Sequence, residues 1–141
     1  MGPLMLDYVG ILKVNRSPDW LKQAGRDLQA AENSAAGGYH EWAAFGAQQS
    51  AEKAVKALVE SLHGSERGHS ITGILEQLSG AVEVPEAVLE AARDLDQVYI
   101  TARYPNGFAA GAPADYFSEK TSERLLGHAR TVLAFCRSKI P

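Results

Sequence analysis

The sequence predicts an all-α fold, an up-and-down antiparallel bundle of four long helices and one short one. Three observations carry that prediction. Apolar residues recur at helical spacing from residue 17 onward, and no segment alternates with period two for long enough to build a sheet. Proline, glycine and serine also stand where helices start and stop. The chain of 141 residues suits one domain. Residues 1–16 read as an N-terminal extension and 17–141 as a single helical bundle domain.

The first helix follows from SPDWLKQAGRDLQAAENSAAGG. Ser17 is the expected N-cap, Pro18 suits the first helical position, and Gly37 and Gly38 end the pattern. Its apolar positions Trp20, Leu21, Ala24, Leu28, Ala31 and Ala35 share one face. The second helix, residues 39–63, lines up Phe45, Val55, Leu58, Val59 and Leu62 and stops at Gly64. A short third helix starts after the cap candidate Ser70, carries Ile71, Ile74, Leu75 and Leu78, and ends at Gly80. Pro85 opens the fourth, with Val88, Ala91, Ala92, Leu95, Val98, Tyr99 and Ala102 as its stripe. It ends near Tyr104, because Pro105 disfavours helical geometry in the residue before it. Residues 105–117 have no apolar period and read as an ordered loop, after which Ser118 caps a fifth helix.

Charge excludes some classes of function. Lys and Arg number 14 against 17 Asp and Glu, so the chain lacks the overall basic excess of a nucleic-acid binder, although a local patch for RNA or a nucleotide stays open. Cys136 is the only cysteine, which excludes an intramolecular disulfide and a cysteine-built zinc site. The four histidines show no metal-ligand spacing, so neither metal nor cofactor is expected. There is no basic leader and no run of about 18 apolar residues, so the expectation is a cytoplasmic protein without a membrane role. The fourth helix is acidic and the fifth basic, a complement that acts within the chain or across a dimer.

Two polar features interrupt the apolar stripes. Gln48 falls near the middle of the second helix's stripe and Glu52 near its edge. Burying such a group without a partner costs roughly 1–3 kcal/mol, so both belong either to a closed hydrogen-bond network or to a polar cleft with Gln49 and Lys56. On the fourth helix Asp96, Tyr99 and Arg103 follow one edge at spacings of three and four residues. Arg103 offers a planar fork suited to phosphate, and its position in a last helical turn also suits a cation facing the helix dipole. The glycines near residue 107 form no phosphate loop, and no local pattern supports a serine or cysteine nucleophile.

The segments AQQSAEKAVKAL (47–58), HSI (69–71) and LDQVYITARYPNG (95–107) resemble the HEPN family, the higher eukaryotes and prokaryotes nucleotide-binding domain. The later pattern from Gly111 to Phe117 fits members that contain an RYP segment. This resemblance implies a bundle similar to the C-terminal domain of kanamycin nucleotidyltransferase, a homodimer, and work alongside a small nucleotidyltransferase. Other branches are metal-independent ribonucleases with an R-x(4 to 6)-H motif. Here the corresponding positions after Arg103 are Phe108, Ala109 and Ala110, so no histidine supplies the base.

The expectation is therefore a non-catalytic or accessory protein that binds a nucleotide in a cleft between the second and fourth helices. Arg103 would hold phosphate, Tyr99 or Tyr104 would stack on a base, and Gln48, Gln49, Glu52 and Asn106 would read polar edges, with Lys56 and Asp96 completing the site. Two alternatives stand beside it: a ribonuclease or toxin that pairs His69 with Arg103, and a homodimeric interaction module without ligand.

Overall fold

The computed structural model describes residues 4–6, 12–65 and 68–141. Residues 1–3 and 7–11 of the expected extension, and 66–67 before the third helix, lie outside the described residues. The elements are β1 (Leu4–Leu6), β2 (Leu12–Val14), α1 (Ser17–Ala36), α2 (His40–Ser61), α3 (Ile71–Gln77), α4 (Glu86–Asp96), α5 (Val98–Thr101), a 3-10 turn (Pro105–Gly107), α6 (Pro113–Tyr116) and α7 (Glu119–Lys139).

α2 is the hub: it touches α1, α3, α4, α5, α6 and α7, with its longest seams along α1 and α7. Its alanines explain the close approach. Ala43, Ala44, Ala47, Ala51, Ala54 and Ala57 are all fully buried. A methyl on Gly46 would stand 2.8 Å from the Ala31 Cβ, so only hydrogen fits where α1 crosses. Between the alanines, Leu58, Ile71, Leu75, Leu95, Leu125 and Leu133 are sequestered from water, each worth roughly 1.5–3 kcal/mol. Ser50 is buried on the same seam and donates to the Ala24 carbonyl at 2.7 Å.

Several boundaries depart from the sequence expectation. Leu4–Leu6 and Leu12–Val14 form a two-stranded antiparallel ladder, Leu4 opposite Val14, in segments too short to show a period of two. Arg16 occupies the N-cap of α1; Ser17 is the first helical residue, and its N–H is met by Asn15 Oδ1 at 2.9 Å. The turn after α2 places His63, not Gly64, in the left-handed region at φ 63°. Gly64 comes next because a Cβ there would meet Val59 Cγ1 at 2.9 Å. The expected fourth helix is interrupted at Gln97, giving α4 and α5. The stretch 105–117 is not a loop throughout, since it holds the 3-10 turn and α6. Ser70 and Ser118 cap as expected, accepting from Gly73 N and Thr121 N.

The acidic and basic helices complement each other within the chain. Arg124 Nε and His128 Nε2 reach Asp94 Oδ2 at 2.8 and 2.9 Å, tying α7 to α4. No described helix is long and apolar enough to cross a membrane.

Candidate functional site

α2 packs against six other elements, and three of its large polar side chains are drawn into the protein. Gln48 is fully buried, with Glu52 at 5% and Lys56 at 9% exposure. They form a closed network rather than an open cleft. Gln49 Nε2 donates to Gln48 Oε1 at 2.8 Å, and Gln48 Nε2 donates to Glu52 Oε1 at 3.1 Å. Lys56 Nζ reaches Glu52 Oε2 at 3.0 Å, and Lys53 extends the chain from Gln49 to Asp27 on α1. The energy of this network comes from pairing, since either ion alone would be stranded in low dielectric.

His69 completes it from outside. Its Nδ1 lies 3.2 Å from Glu52 Oε1, and a carboxylate only accepts, so the imidazole proton sits on Nδ1. In the neutral ring Nε2 then carries a free lone pair. His69 stacks on Tyr99 with ring centroids 4.6 Å apart. His69, Ser70, Asp96 and Tyr99 line a cleft of about 190 Å³.

Arg103 sits beyond Tyr99. The last turn of α5 tightens, so the Arg103 N–H reaches Ile100 O at 3.0 Å and leaves the Tyr99 carbonyl to the side chain. Arg103 Nε and Nη2 both donate to that carbonyl, at 3.0 and 2.8 Å. This caps an exposed helix end. The guanidinium also lies over the rings of Phe45, Tyr99 and Tyr104, at 4.4, 4.8 and 5.0 Å from their centroids. Among the described residues no carboxylate pairs with it.

The sequence-derived site is thus brought together only in part. Tyr99, Arg103 and Tyr104 converge, and Asn106 is exposed in the adjoining 3-10 turn. Asp96 is separated from them by function: its carboxylate accepts from Ile71 N at 2.8 Å and Thr72 N at 3.0 Å, capping α3. Glu52 meets the same surface through His69, and Gln48 and Lys56 reach it through Glu52. In place of the expected cleft between the second and fourth helices, the cleft of about 190 Å³ lies between the start of α3 and the α4–α5 junction, and no α2 residue lines it. A larger groove of about 420 Å³ lies between α1 and α2, lined by Asp27, Ser34, Trp42, Phe45, Gln49 and Lys53.

Phe45 belongs to both surfaces and meets Trp42 edge-on at 6.3 Å. Sequence reasoning placed Phe45 in the core and did not single out Trp42. The usable signal was a tryptophan outside the α2 stripe, and it is 53% exposed. His40 and Ser122 form a pair that the sequence separates by 82 residues, at 2.8 Å. Ser122 Oγ also reaches Glu119 O at 3.0 Å, so the hydroxyl bridges His40 to the first turn of α7. Fully buried, Ser122 is a tie between α2 and α7.

The chain resembles three crystal structures over most of its length. It is 41% identical to TT1696 of Thermus thermophilus, with a TM-score of 0.88 over 90% of this chain and 100% of that one. It is 37% identical to ST0689, described as an archaeal HEPN homologue, with a TM-score of 0.77 over 89% and 98%. The identity is 31% to the HEPN domain protein tm0613 of Thermotoga maritima, with a TM-score of 0.71 over 85% and 95%. No curated protein matches it. The HEPN domain model matches residues 17–139, and the chain belongs to the HEPN domain family.

Proposed function

We propose that this chain is a non-catalytic HEPN protein that binds a nucleotide through Arg103. In this reading it acts as a cytoplasmic homodimer beside a small nucleotidyltransferase. One observation carries the ligand reading: Arg103 is held in place by its own helix and three rings, yet faces no carboxylate among the described residues. Such a fork is a ready anchor for phosphate, and the exposed ring of Tyr104 beside it suits a base. The dimer reading draws on Trp42, Ile100 and Tyr104, all exposed around the same arginine. The partner rests on the family resemblance alone.

The test is isothermal titration with AMP, ADP, ATP and GTP. Arg103→Ala should weaken binding by about tenfold or more, the scale of a lost charge-assisted hydrogen bond. Absence of heat with all four nucleotides would remove the ligand. If Arg103→Ala then shifted the elution volume on size exclusion, the interaction-module reading would replace it.

A second reading is favoured by the geometry of His69. Glu52 fixes its tautomer, and His69 and Arg103 both pack against Tyr99. An imidazole and a guanidinium carried on the two sides of one tyrosine contact are groups that cleavage of RNA through a 2'-hydroxyl would use. Metal-independent RNA degradation lost in both His69→Ala and Arg103→Ala would select this reading over binding.

A further inference from the structure

On another seam of the bundle, α1 and α7 enclose a groove of about 410 Å³ that holds Lys22, Arg26 and Arg137. Elsewhere the cations of this acidic chain are largely matched: Arg16 with Asp19, Lys53 with Asp27, Lys56 with Glu52, Arg93 with Glu86, Arg124 with Asp94. Among the described residues no carboxylate pairs with Lys22, Arg26 or Arg137. The acid on the groove's wall, Glu32, is held by Arg130 at 3.5 Å. Lys22 and Arg26 stand one turn apart on α1, so their charges point the same way.

Gly25 lies between them. A methyl there would stand 3.1 Å from Arg137 Nη2, so the missing side chain gives the guanidinium room to lie against α1. A glycine inside a helix weakens it relative to alanine, so this room has a structural cost.

We propose that this groove is an oligophosphate site, taking an anion of three or more linked phosphates independently of Arg103. Three convergent cations repel one another until an anion bridges them, and two guanidinium forks match phosphoryl oxygens. No aromatic ring lines the groove, so it lacks the stacking platform that a single nucleic-acid strand uses. Its floor is Leu28, half-buried, and Leu133, 2% exposed, which leaves little apolar area to anchor an acidic peptide. The ligand is either a free inorganic oligophosphate or the tail of a nucleoside polyphosphate.

The experiment is titration calorimetry of the full chain at low salt with tripolyphosphate, ATP, GTP and AMP. The whole series is repeated in the Arg103→Ala chain, so that the groove is read apart from the nucleotide site proposed above. Tripolyphosphate should bind in both chains, and Lys22→Gln/Arg26→Gln/Arg137→Gln should weaken it by about tenfold or more. Lys120→Gln, on α7 outside the groove, controls for the loss of one surface charge and is compared with each single variant, Lys22→Gln, Arg26→Gln and Arg137→Gln; it should leave binding unchanged. Gly25→Ala should raise Tm by roughly 3 °C while weakening tripolyphosphate, a pair of opposite effects that a purely structural glycine would not give. In the Arg103→Ala chain, ATP and GTP binding equally, with AMP silent, marks the nucleoside polyphosphate as a source; tripolyphosphate alone marks the free anion. The proposal is overturned if the triple variant binds tripolyphosphate like the wild type. It is also overturned if Arg103→Ala alone abolishes the signal, or if a 12-mer RNA or a glutamate-rich peptide takes the groove while tripolyphosphate does not.

Discussion

Replacing Glu52 by glutamine tests whether the polar residues of α2 are a network or a site. The change keeps shape and removes the charge that neutralises Lys56, whose side chain is 11% exposed. Breaking a buried ion pair from one side costs about 3–5 kcal/mol, because the remaining charge is stranded. The lower end applies here, since the ammonium retains some contact with water. Glu52→Gln should therefore lose about 3 kcal/mol, or roughly 10 °C in Tm for a chain of this length. Lys56→Met should cost less, since His69 Nδ1 and Gln48 Nε2 still donate to the carboxylate it leaves behind. The double variant Glu52→Gln/Lys56→Met should recover to within about 1 kcal/mol of the wild type, giving a coupling of about 2 kcal/mol or more. Urea unfolding followed by circular dichroism, with unchanged m-values, provides the measurement. If Glu52→Gln costs under about 1 kcal/mol while abolishing nucleotide binding, the carboxylate belongs to a ligand site and the network account is wrong.

Other expectations follow from single contacts. Asp96→Ala removes the acceptor of two backbone N–H groups at the start of α3 and should cost about 1–2 kcal/mol by urea unfolding, with nucleotide binding retained. Gly46→Ala should destabilise by about 1–3 kcal/mol despite the better helix propensity, because its methyl meets Ala31 at 2.8 Å; a gain in Tm would contradict the close packing. Burial pushes the Cys136 thiol up to about 12. The native protein should therefore resist a thiol-specific reagent at pH 8 and react fully in denaturant. The sign for stability is fixed as well. Between the ordinary thiol pKa of 9.0 and about 12 only the unfolded chain ionises, so this thiol's contribution falls with rising pH and is intact below 9. Cys136→Ser should flatten that alkaline fall in a pH series of urea midpoints.

The helices were legible because each rests on local signals: Pro18 at a start, Ser70 and Ser118 as caps, and leucines at helical spacing. The site was harder to read. A helical wheel assigns Gln48 and Glu52 to one face of an amphipathic helix, but α2 is covered on nearly all sides by six neighbours, so its faces lose their usual meaning. Asp96 reads as part of a row with Tyr99 and Arg103; its true partner is the start of α3, 25 residues earlier in the chain. Arg103 reads as a last-turn cation; α5 stops at Thr101, and Arg103 lies just past the C-cap Ala102, where its side chain closes the helix end. Its aromatic setting was not legible, since Phe45 is contributed by a different helix. The strand ladder near the N-terminus and the 3-10 turn at Pro105 are too short for periodicity to report.

The bond from Arg103 back to Tyr99 has a consequence for how the residue meets anything. A free arginine gives up close to 2 kcal/mol of rotamer entropy when it is fixed, a loss usually charged to binding. Here folding has already fixed it, with two of the guanidinium's five N–H groups committed to the Tyr99 carbonyl and three left over. Lysine at 103 would restore the motion along with the charge. It would have no second donor to anchor the tip and no plane to rest on the rings. Arg103→Lys should therefore behave more like a truncation than a conservative exchange, because what the fold provides at this position is a direction.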